Sequence, residues 1–151
     1  MPHSFHKLYH HVIWTTKHRA PIITTKIEAL VNESVQTKIV NLGARSIALN
    51  MVSDHVHLLA ELPPQLAPAD FMHDIKGCSS HYVNKFFSEN NFYWQTGYGI
   101  LTLSAEQLPA VTKYIANQEQ HHADNDLIDI FETVSEDSNE TPPSATPSTT
   151  V

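Results

Sequence analysis

Apolar positions along the chain follow two spacings, one typical of strands and one typical of helices. The segment KLYHHVIWTT, residues 7–16, is rich in β-branched and aromatic side chains and predicts a first strand. Residues 24–43 carry apolar side chains at three- and four-residue intervals, which predicts a helix. A threonine at its start is suited to the N-cap position and Gly43 to the C-cap. Two strands follow, ARSIALNMV at 44–52 and a second that begins after a turn and ends at a pair of prolines.

The second half of the chain predicts a further helix, strand and helix. A helix should begin after Pro68 and run to about Phe87, although Gly77 lowers its helical propensity. GYGILTLS at 97–104 predicts a fourth strand, and a third helix begins near Leu108. The order is therefore β-α-β-β-α-β-α. This order predicts an α+β fold of the ferredoxin-like or RRM-like class, with an antiparallel sheet and helices mainly on one face.

Length and composition fit one globular domain. The chain has 151 residues, of which 41% are hydrophobic, and no run approaches the roughly 18 apolar residues of a membrane span. Its first residues lack the regions of a signal peptide. The single cysteine, Cys78, excludes an internal disulfide and favours a reducing compartment. We therefore expect a cytoplasmic protein without a membrane partner.

Charge is distributed unevenly, which divides the chain into two parts. The formal net charge is −7, yet all nine Lys and Arg lie at or before Lys113, and eight of the 16 acids lie from Glu119 onward. The positive and negative charges before Glu119 therefore nearly cancel, which neither indicates nor excludes DNA binding. Residues 124–151 are acidic and rich in Ser, Thr and Pro, which predicts a disordered tail after a domain of residues 1–123. Within it, LIDIF at 127–131 would add a short helix or a docking segment.

Two histidines lie one residue apart in DHVHLL, the start of the third strand. Because side chains alternate along a strand, His55 and His57 project from one face. Two neutral imidazoles there can bind one divalent cation, although two half-exposed strand histidines fit the pattern equally. Asp54 precedes them, and we interpret it as a turn residue rather than a partner of a histidine. Tyr114 and Gln118 share one face of the last helix, where alone they would indicate only a tyrosine packed on the sheet and a glutamine at its edge.

Together, DHVHLL and the downstream YIANQ resemble the single-tyrosine HUH transposases of the insertion sequence 200/605 type. FYWQTGYG at 92–99, IKGCSSHYVNKFF at 75–87 and NQEQHH after the tyrosine are also similar to segments of that family, so the resemblance covers about residues 5–123. It implies a metal-dependent DNA transposase that cleaves and rejoins single-stranded DNA at hairpin-bearing element ends through a 5′-phosphotyrosine. It also implies the roles of four residues: a nucleophile, Tyr114, and ligands of Mg²⁺ or Mn²⁺, namely His55, His57 and Gln118.

The resemblance further implies partners and DNA contacts. We expect single-stranded DNA hairpins, a homodimer and a location in the prokaryotic cytoplasm, associated with the nucleoid. The expected DNA-binding residues are basic: Lys17, Arg19, Lys76 and Lys85. Three aromatic residues would either stack on bases or belong to the core or an interface: Trp14, Tyr93 and Trp94.

Other functions fit the same residues. A domesticated family member acting on chromosomal palindromic repeats would keep the same site. A non-catalytic nucleic-acid-binding module on the same fold would form no covalent adduct, and a small metal hydrolase using water would not need Tyr114. The acidic segment departs from the family, whose members are usually basic after the tyrosine helix. It would either compete with DNA for the basic face or only aid solubility.

Overall fold

The chain folds into one four-stranded sheet with three helices. The structure is a computed structural model that describes residues 4–117. Within these residues the strands are β1 (Tyr9–Thr15), β2 (Arg45–Met51), β3 (His55–Glu61) and β4 (Gly99–Leu103). The α-helices are α1 (Thr25–Asn41), α2 (Pro68–Asn84) and α3 (Leu108–Ala116), and short 3₁₀ turns span Lys17–Arg19 and Ala105–Gln107. The predicted order β-α-β-β-α-β-α is confirmed.

The sheet has the strand order β2-β3-β1-β4, and every neighbouring pair is antiparallel. This is the arrangement of a ferredoxin-like fold, so the predicted α+β class is confirmed. The strands β1 and β3 are central, and their register places Ile13 opposite His57. Both central strands are almost wholly buried, because both faces of the sheet are covered over them.

The two faces of the sheet differ in chemistry. One face packs on α1 and α2 and is apolar, with Val12 and Trp14 from β1 beside Val56 and Leu58 from β3. Because side chains alternate, His55 and His57 project from the opposite face. Helix α3 lies on that second face, where Ile115 is fully buried. The alternation predicted from DHVHLL thus separates an apolar core from a layer of histidines.

The ends of α1 agree with the sequence signals. Its N-cap, Thr24, accepts a hydrogen bond from the Ile27 amide through its side chain (3.3 Å). Gly43 follows the helix with a φ of +74°, a conformation that favours glycine.

Two details differ from the sequence expectation. Helix α2 ends at Asn84 rather than near Phe87, and the Asn84 side chain fixes the segment that follows by accepting from the Phe92 nitrogen and donating to the Phe92 oxygen (2.9 Å each). In β2 the pairing shifts between Ser46 and Ala48, so Ile47 leaves the simple alternation.

Three expectations concern residues that the structure does not describe. Gln118, the proposed boundary at residue 123 and the LIDIF segment lie outside residues 4–117. Among the described residues, no helix is long and apolar enough to cross a membrane.

Candidate active site

Three histidines from the two central strands form one layer beneath α3. His11 of β1 joins His55 and His57 of β3, and all three are buried (7%, 6% and 0% exposed). The His57 ring lies between the others, with centroid distances of 5.2 Å to His11 and 5.2 Å to His55. Half-exposed strand histidines, the alternative to a ligand pair, therefore do not describe these side chains.

Of the two ring nitrogens of His57, one is hydrogen-bonded and the other has no partner within the part of the chain that the structure describes. Its Nδ1 lies 2.9 Å from Nε2 of His11, a hydrogen-bond distance. Its Nε2 is buried and has no hydrogen-bond partner among the residues that the structure describes. Burial, followed by repulsion from His11 and His55, lowers the pKa of His57 from 6.5 to about 3. The ring is therefore neutral at physiological pH, as a metal-binding imidazole must be.

His55 is held by a carboxylate. Its Nδ1 lies 2.6 Å from Asp54 Oδ1, and the other Asp54 oxygen lies 3.3 Å from an Arg19 guanidinium nitrogen. Asp54 is in the turn before β3, as expected, but its side chain also orients His55. The interpretation of Asp54 as a turn residue without a role toward the histidines was therefore incomplete.

The turn that supplies Arg19 has an unusual backbone. His18 and Arg19 have φ values of 58° and 51°, which cost on the order of 1–3 kcal/mol for such residues. Neighbouring bonds hold this conformation: the Thr16 backbone N–H donates to the Asp54 backbone carbonyl (2.9 Å), and the His18 backbone N–H donates to Gln95 Oε1 (2.9 Å). The strained turn thereby keeps Arg19 beside Asp54.

Tyr114 lies over the same histidine layer. Its ring centroid is 6.1 Å from that of His57 and 6.5 Å from that of His11, edge-on to both. Asn50 of β2, paired with His57 in the sheet, donates from Nδ2 to the Ile115 oxygen (2.8 Å). This bond fixes α3 to the sheet next to the tyrosine. The histidine pair and Tyr114, far apart in sequence, are therefore neighbours within one chain.

The donor set is suited to a divalent metal but incomplete within the described residues. Residues 4–117 contain no group of three His, Cys, Asp or Glu side chains able to hold an ion. His11 does not complete one, because its Nε2 faces His57. The buried, unpartnered Nε2 of His57 and the carboxylate on His55 are what a metal-binding histidine pair requires. A further ligand must come from elsewhere, and Gln118 lies outside the described range.

The basic residues expected to contact DNA have different surroundings. Lys17 and Lys85 are exposed, and the Lys17 ammonium lies 5.9 Å from the centre of the Tyr93 ring. Arg19 is ion-paired with Asp54. Lys76 is partly buried and donates to the Gln95 and Gly97 oxygens (2.6 and 2.8 Å). Burial lowers the pKa of Lys76, while these two carbonyl oxygens favour its charged form.

The three aromatic residues considered for stacking on bases also lie in different environments. Trp14 is 1% exposed and packs edge-on against Trp94, so Trp14 is a core residue and cannot stack on bases. Trp94 is partly buried and donates to Ser79 Oγ (2.9 Å). Tyr93 is half exposed and borders two clefts, of about 300 and 420 Å³, on either side of the segment that precedes β4.

Comparison with known proteins identifies the family. Residues 4–118 match the sequence model described as "Transposase IS200 like". The chain belongs to the IS200-like transposase family. It is 28% identical over 121 residues to the ISDra2 transposase TnpA of Deinococcus radiodurans, a match covering 75% of this chain and 85% of that one. It is 23% identical over 124 residues to the IS200 transposase of Salmonella typhimurium, covering 78% and 81%.

Solved structures of transposases share the fold. A crystal structure assigned as a transposase of Deinococcus radiodurans R1 matches with a TM-score of 0.64 and 27% identity, covering 78% of this chain and 95% of that one. A REP-associated tyrosine transposase bound to a REP hairpin matches with a TM-score of 0.57 and 14% identity, covering 78% and 72%. The predicted family is confirmed, and with it membership among enzymes that process DNA.

Sequence reasoning missed His11, and it ranked a contact between Asp54 and a histidine below a plain turn role. His11 lies in the predicted first strand, but whether its side chain lies beside those of His55 and His57 depends on how β1 and β3 pair, which the sequence does not give. That register places His11 opposite Leu59, diagonal to His57. The adjacency of Asp54 and His55 was a usable signal, because carboxylates commonly orient metal-binding histidines.

Proposed function

We propose that this IS200-like transposase cleaves and rejoins single-stranded DNA through a covalent bond to Tyr114. The proposal is supported above all by one observation: Tyr114 lies 6.1 Å, ring to ring, from a histidine whose buried Nε2 has no hydrogen-bond partner within residues 4–117. A nucleophile beside a metal-binding pair accounts for the position of the Tyr114 ring over the histidine layer.

In the proposed cleavage step, one bond to phosphorus forms and one breaks. The Tyr114 oxygen attacks a backbone phosphorus, a tyrosine O–P bond forms, and the bond from phosphorus to the 3′-oxygen breaks. The tyrosine proton leaves, the departing 3′-oxygen gains a proton, and the product is a 5′-phosphotyrosyl link with a free 3′-hydroxyl. Because a phosphoester is kept, attack by a 3′-hydroxyl rejoins a strand without an energy source such as ATP.

His55 and His57, with Gln118 as the proposed third ligand, would hold Mg²⁺ or Mn²⁺. When bound, such an ion offsets the charge that develops on the phosphate oxygens. The His55 ring is oriented by Asp54, and Arg19 holds Asp54 in turn. We therefore assign Arg19 first to the site and only second to DNA contact.

Hairpin-bearing single-stranded DNA is the proposed substrate, and Tyr93 with Lys17 and Lys85 provide an exposed aromatic ring and cations for it. The solved relative with a REP hairpin makes this substrate class the first to test. We also propose that two chains act together as a homodimer, which sedimentation of the protein with and without hairpin DNA would check.

The decisive experiment is formation of a covalent protein–DNA band. The full-length protein is incubated with labelled single-stranded hairpins and Mn²⁺, then denatured and separated. Tyr114→Phe should abolish the band. Tyr82→Phe is the matched control, because Tyr82 lies on α2 against the Phe86 ring and should leave the band unchanged.

Each rival function predicts a different outcome. Cleavage that persists in Tyr114→Phe would indicate a hydrolase that uses water. DNA binding without cleavage or adduct in the unmodified protein would indicate a binding module. Preference for chromosomal palindromic repeats over insertion-element ends would indicate a domesticated member with the same chemistry.

A further inference from the structure

The two candidate ligands of the histidine layer each have Nδ1 engaged by another side chain. For His55 the partner is the Asp54 carboxylate, which can only accept while it is ionised, so the proton between them lies on His55. For His57 the partner is His11, whose Nε2 lies 2.9 Å away. Either imidazole can donate in that pair, and the direction decides what His57 can do.

The direction of the hydrogen bond between His11 and His57 decides whether Nε2 of His57 carries a proton or a lone pair. If His11 donates, the single proton of neutral His57 must be on Nε2. That nitrogen is buried without a partner among the described residues, so an N–H group there would be an unsatisfied donor, which is destabilising. If His57 donates from Nδ1, its Nε2 carries a lone pair, which a cation can use.

We propose that His11 is a positioning residue that accepts a hydrogen bond from Nδ1 of His57 and so keeps the Nε2 lone pair of His57 available to a metal ion. His11 acts on His57 as Asp54 acts on His55. The functional meaning of this inference rests on the proposed metal-dependent activity, but the tautomer itself does not.

An imidazole acceptor is well suited to this position. His11 and His57 are both buried, with exposures of 7% and 0%. A carboxylate there would have to be desolvated as an ion, which is strongly unfavourable, whereas a neutral imidazole accepts without adding charge. Asp54 avoids that cost, because it lies nearer the surface and is paired with Arg19.

The position of His11 in β1 makes the contact rigid. His11 pairs with Leu59 of β3 on one side and with Leu101 of β4 on the other. Its ring stacks on that of His57 with an angle of 27° between the planes. A side chain fixed by two neighbouring strands can hold the His57 ring in one orientation before any ligand binds.

The test is ¹⁵N NMR of the histidine side chains in the metal-free full-length protein, because protonated and unprotonated ring nitrogens differ strongly in chemical shift. We expect His57 to carry its proton on Nδ1. In His11→Phe, which keeps a ring but offers no acceptor, we expect the proton to move to Nε2. In His11→Gln, whose side-chain oxygen can accept near the position of Nε2, the Nδ1–H form should be retained.

Metal titration supplies a second readout. His11→Phe should weaken Mn²⁺ binding by about 10- to 100-fold, as is typical when a partner of a metal-binding histidine is lost, and His11→Gln should restore most of it. The control is His10→Phe, because His10 is equally buried but contacts the Leu8 oxygen instead (3.0 Å), so it should change neither readout.

Two results would overturn the proposal: a His57 proton on Nε2 in the unmodified protein, or an unchanged tautomer in His11→Phe. Failure of the proposed function looks different. The tautomer would then be as expected, while the protein forms no adduct with hairpin DNA. Conversely, an adduct through Tyr114 with the opposite tautomer would leave the function standing and remove the role of His11.

Discussion

Asn50 ties the helix that carries Tyr114 to the sheet, and its loss should loosen that helix. The Ile115 oxygen is one of the last carbonyls of α3, beyond the regular helical bonding pattern, and it accepts from Asn50 Nδ2 at 2.8 Å. Asn50→Ala removes this donor beside a residue that is fully buried. The expected cost is about 1–2 kcal/mol, between a typical hydrogen bond and a buried polar group left unpaired.

Hydrogen exchange of backbone amides measures this cost where it arises. A loss of that size makes opening of α3 about 5- to 30-fold more frequent, so the amides of residues 112–116 should exchange faster by that factor. Asn84→Ala is the control, because its side chain bonds Phe92 at the end of α2 instead. Unchanged exchange in Asn50→Ala, or equal acceleration in both variants, would refute the idea that Asn50 anchors α3.

Three further predictions address the site and the scaffold. Asp54→Ala should weaken Mn²⁺ binding by about 10- to 100-fold in calorimetry, while Glu61→Ala, which removes a carboxylate bonded to Arg45, should not; equal affinities would contradict the role of Asp54. Gly77→Ala should raise the free energy of unfolding by about 0.5–1 kcal/mol, since its added methyl group meets nothing within 4 Å. Gly43→Ala should lower the free energy of unfolding by about 1–2 kcal/mol, because an alanine is strained at the Gly43 φ of +74°. Thermal melts in which the Gly77→Ala and Gly43→Ala variants shift in the same direction would contradict these two predictions. Since burial lowers the pKa of His57 to about 3, the unfolded chain takes up that proton first as pH falls, so the metal-free protein should lose on the order of 4 kcal/mol between about pH 6.5 and pH 3. His57→Gln should flatten this pH dependence, and an equally steep decline in that variant would contradict the assignment.

Local signals predicted the order of elements well. The helix period and the caps at Thr24 and Gly43 defined α1, and alternation placed His55 and His57 on one face opposite the core. These features depend on residues within a few positions of one another. The motif resemblance added Tyr114, which the structure brings beside that pair.

Contacts between distant segments were beyond those signals. At the end of α2, Asn84 bonds Phe92, eight residues later in the chain, a contact that no local pattern indicates. His11 enters the histidine layer only through the register of β1 against β3, and a shift of one residue would turn it to the other face. Lys76 is predicted to contact DNA from its charge and the family resemblance, and no local pattern indicated that its ammonium bonds two backbone oxygens of the segment before β4.

The central claim is that Tyr114 becomes linked to DNA, and mass spectrometry of the adduct tests it most directly. Lys113 is the last Lys or Arg of the chain, so trypsin releases residues 114–151 as one peptide, in which Tyr114 is the only tyrosine. After reaction with hairpin DNA and Mn²⁺, followed by nuclease and trypsin, we predict that this peptide carries the nucleotide phosphate on Tyr114. A nucleotide on any other peptide, or an adduct that forms equally in Tyr114→Phe, would contradict the account.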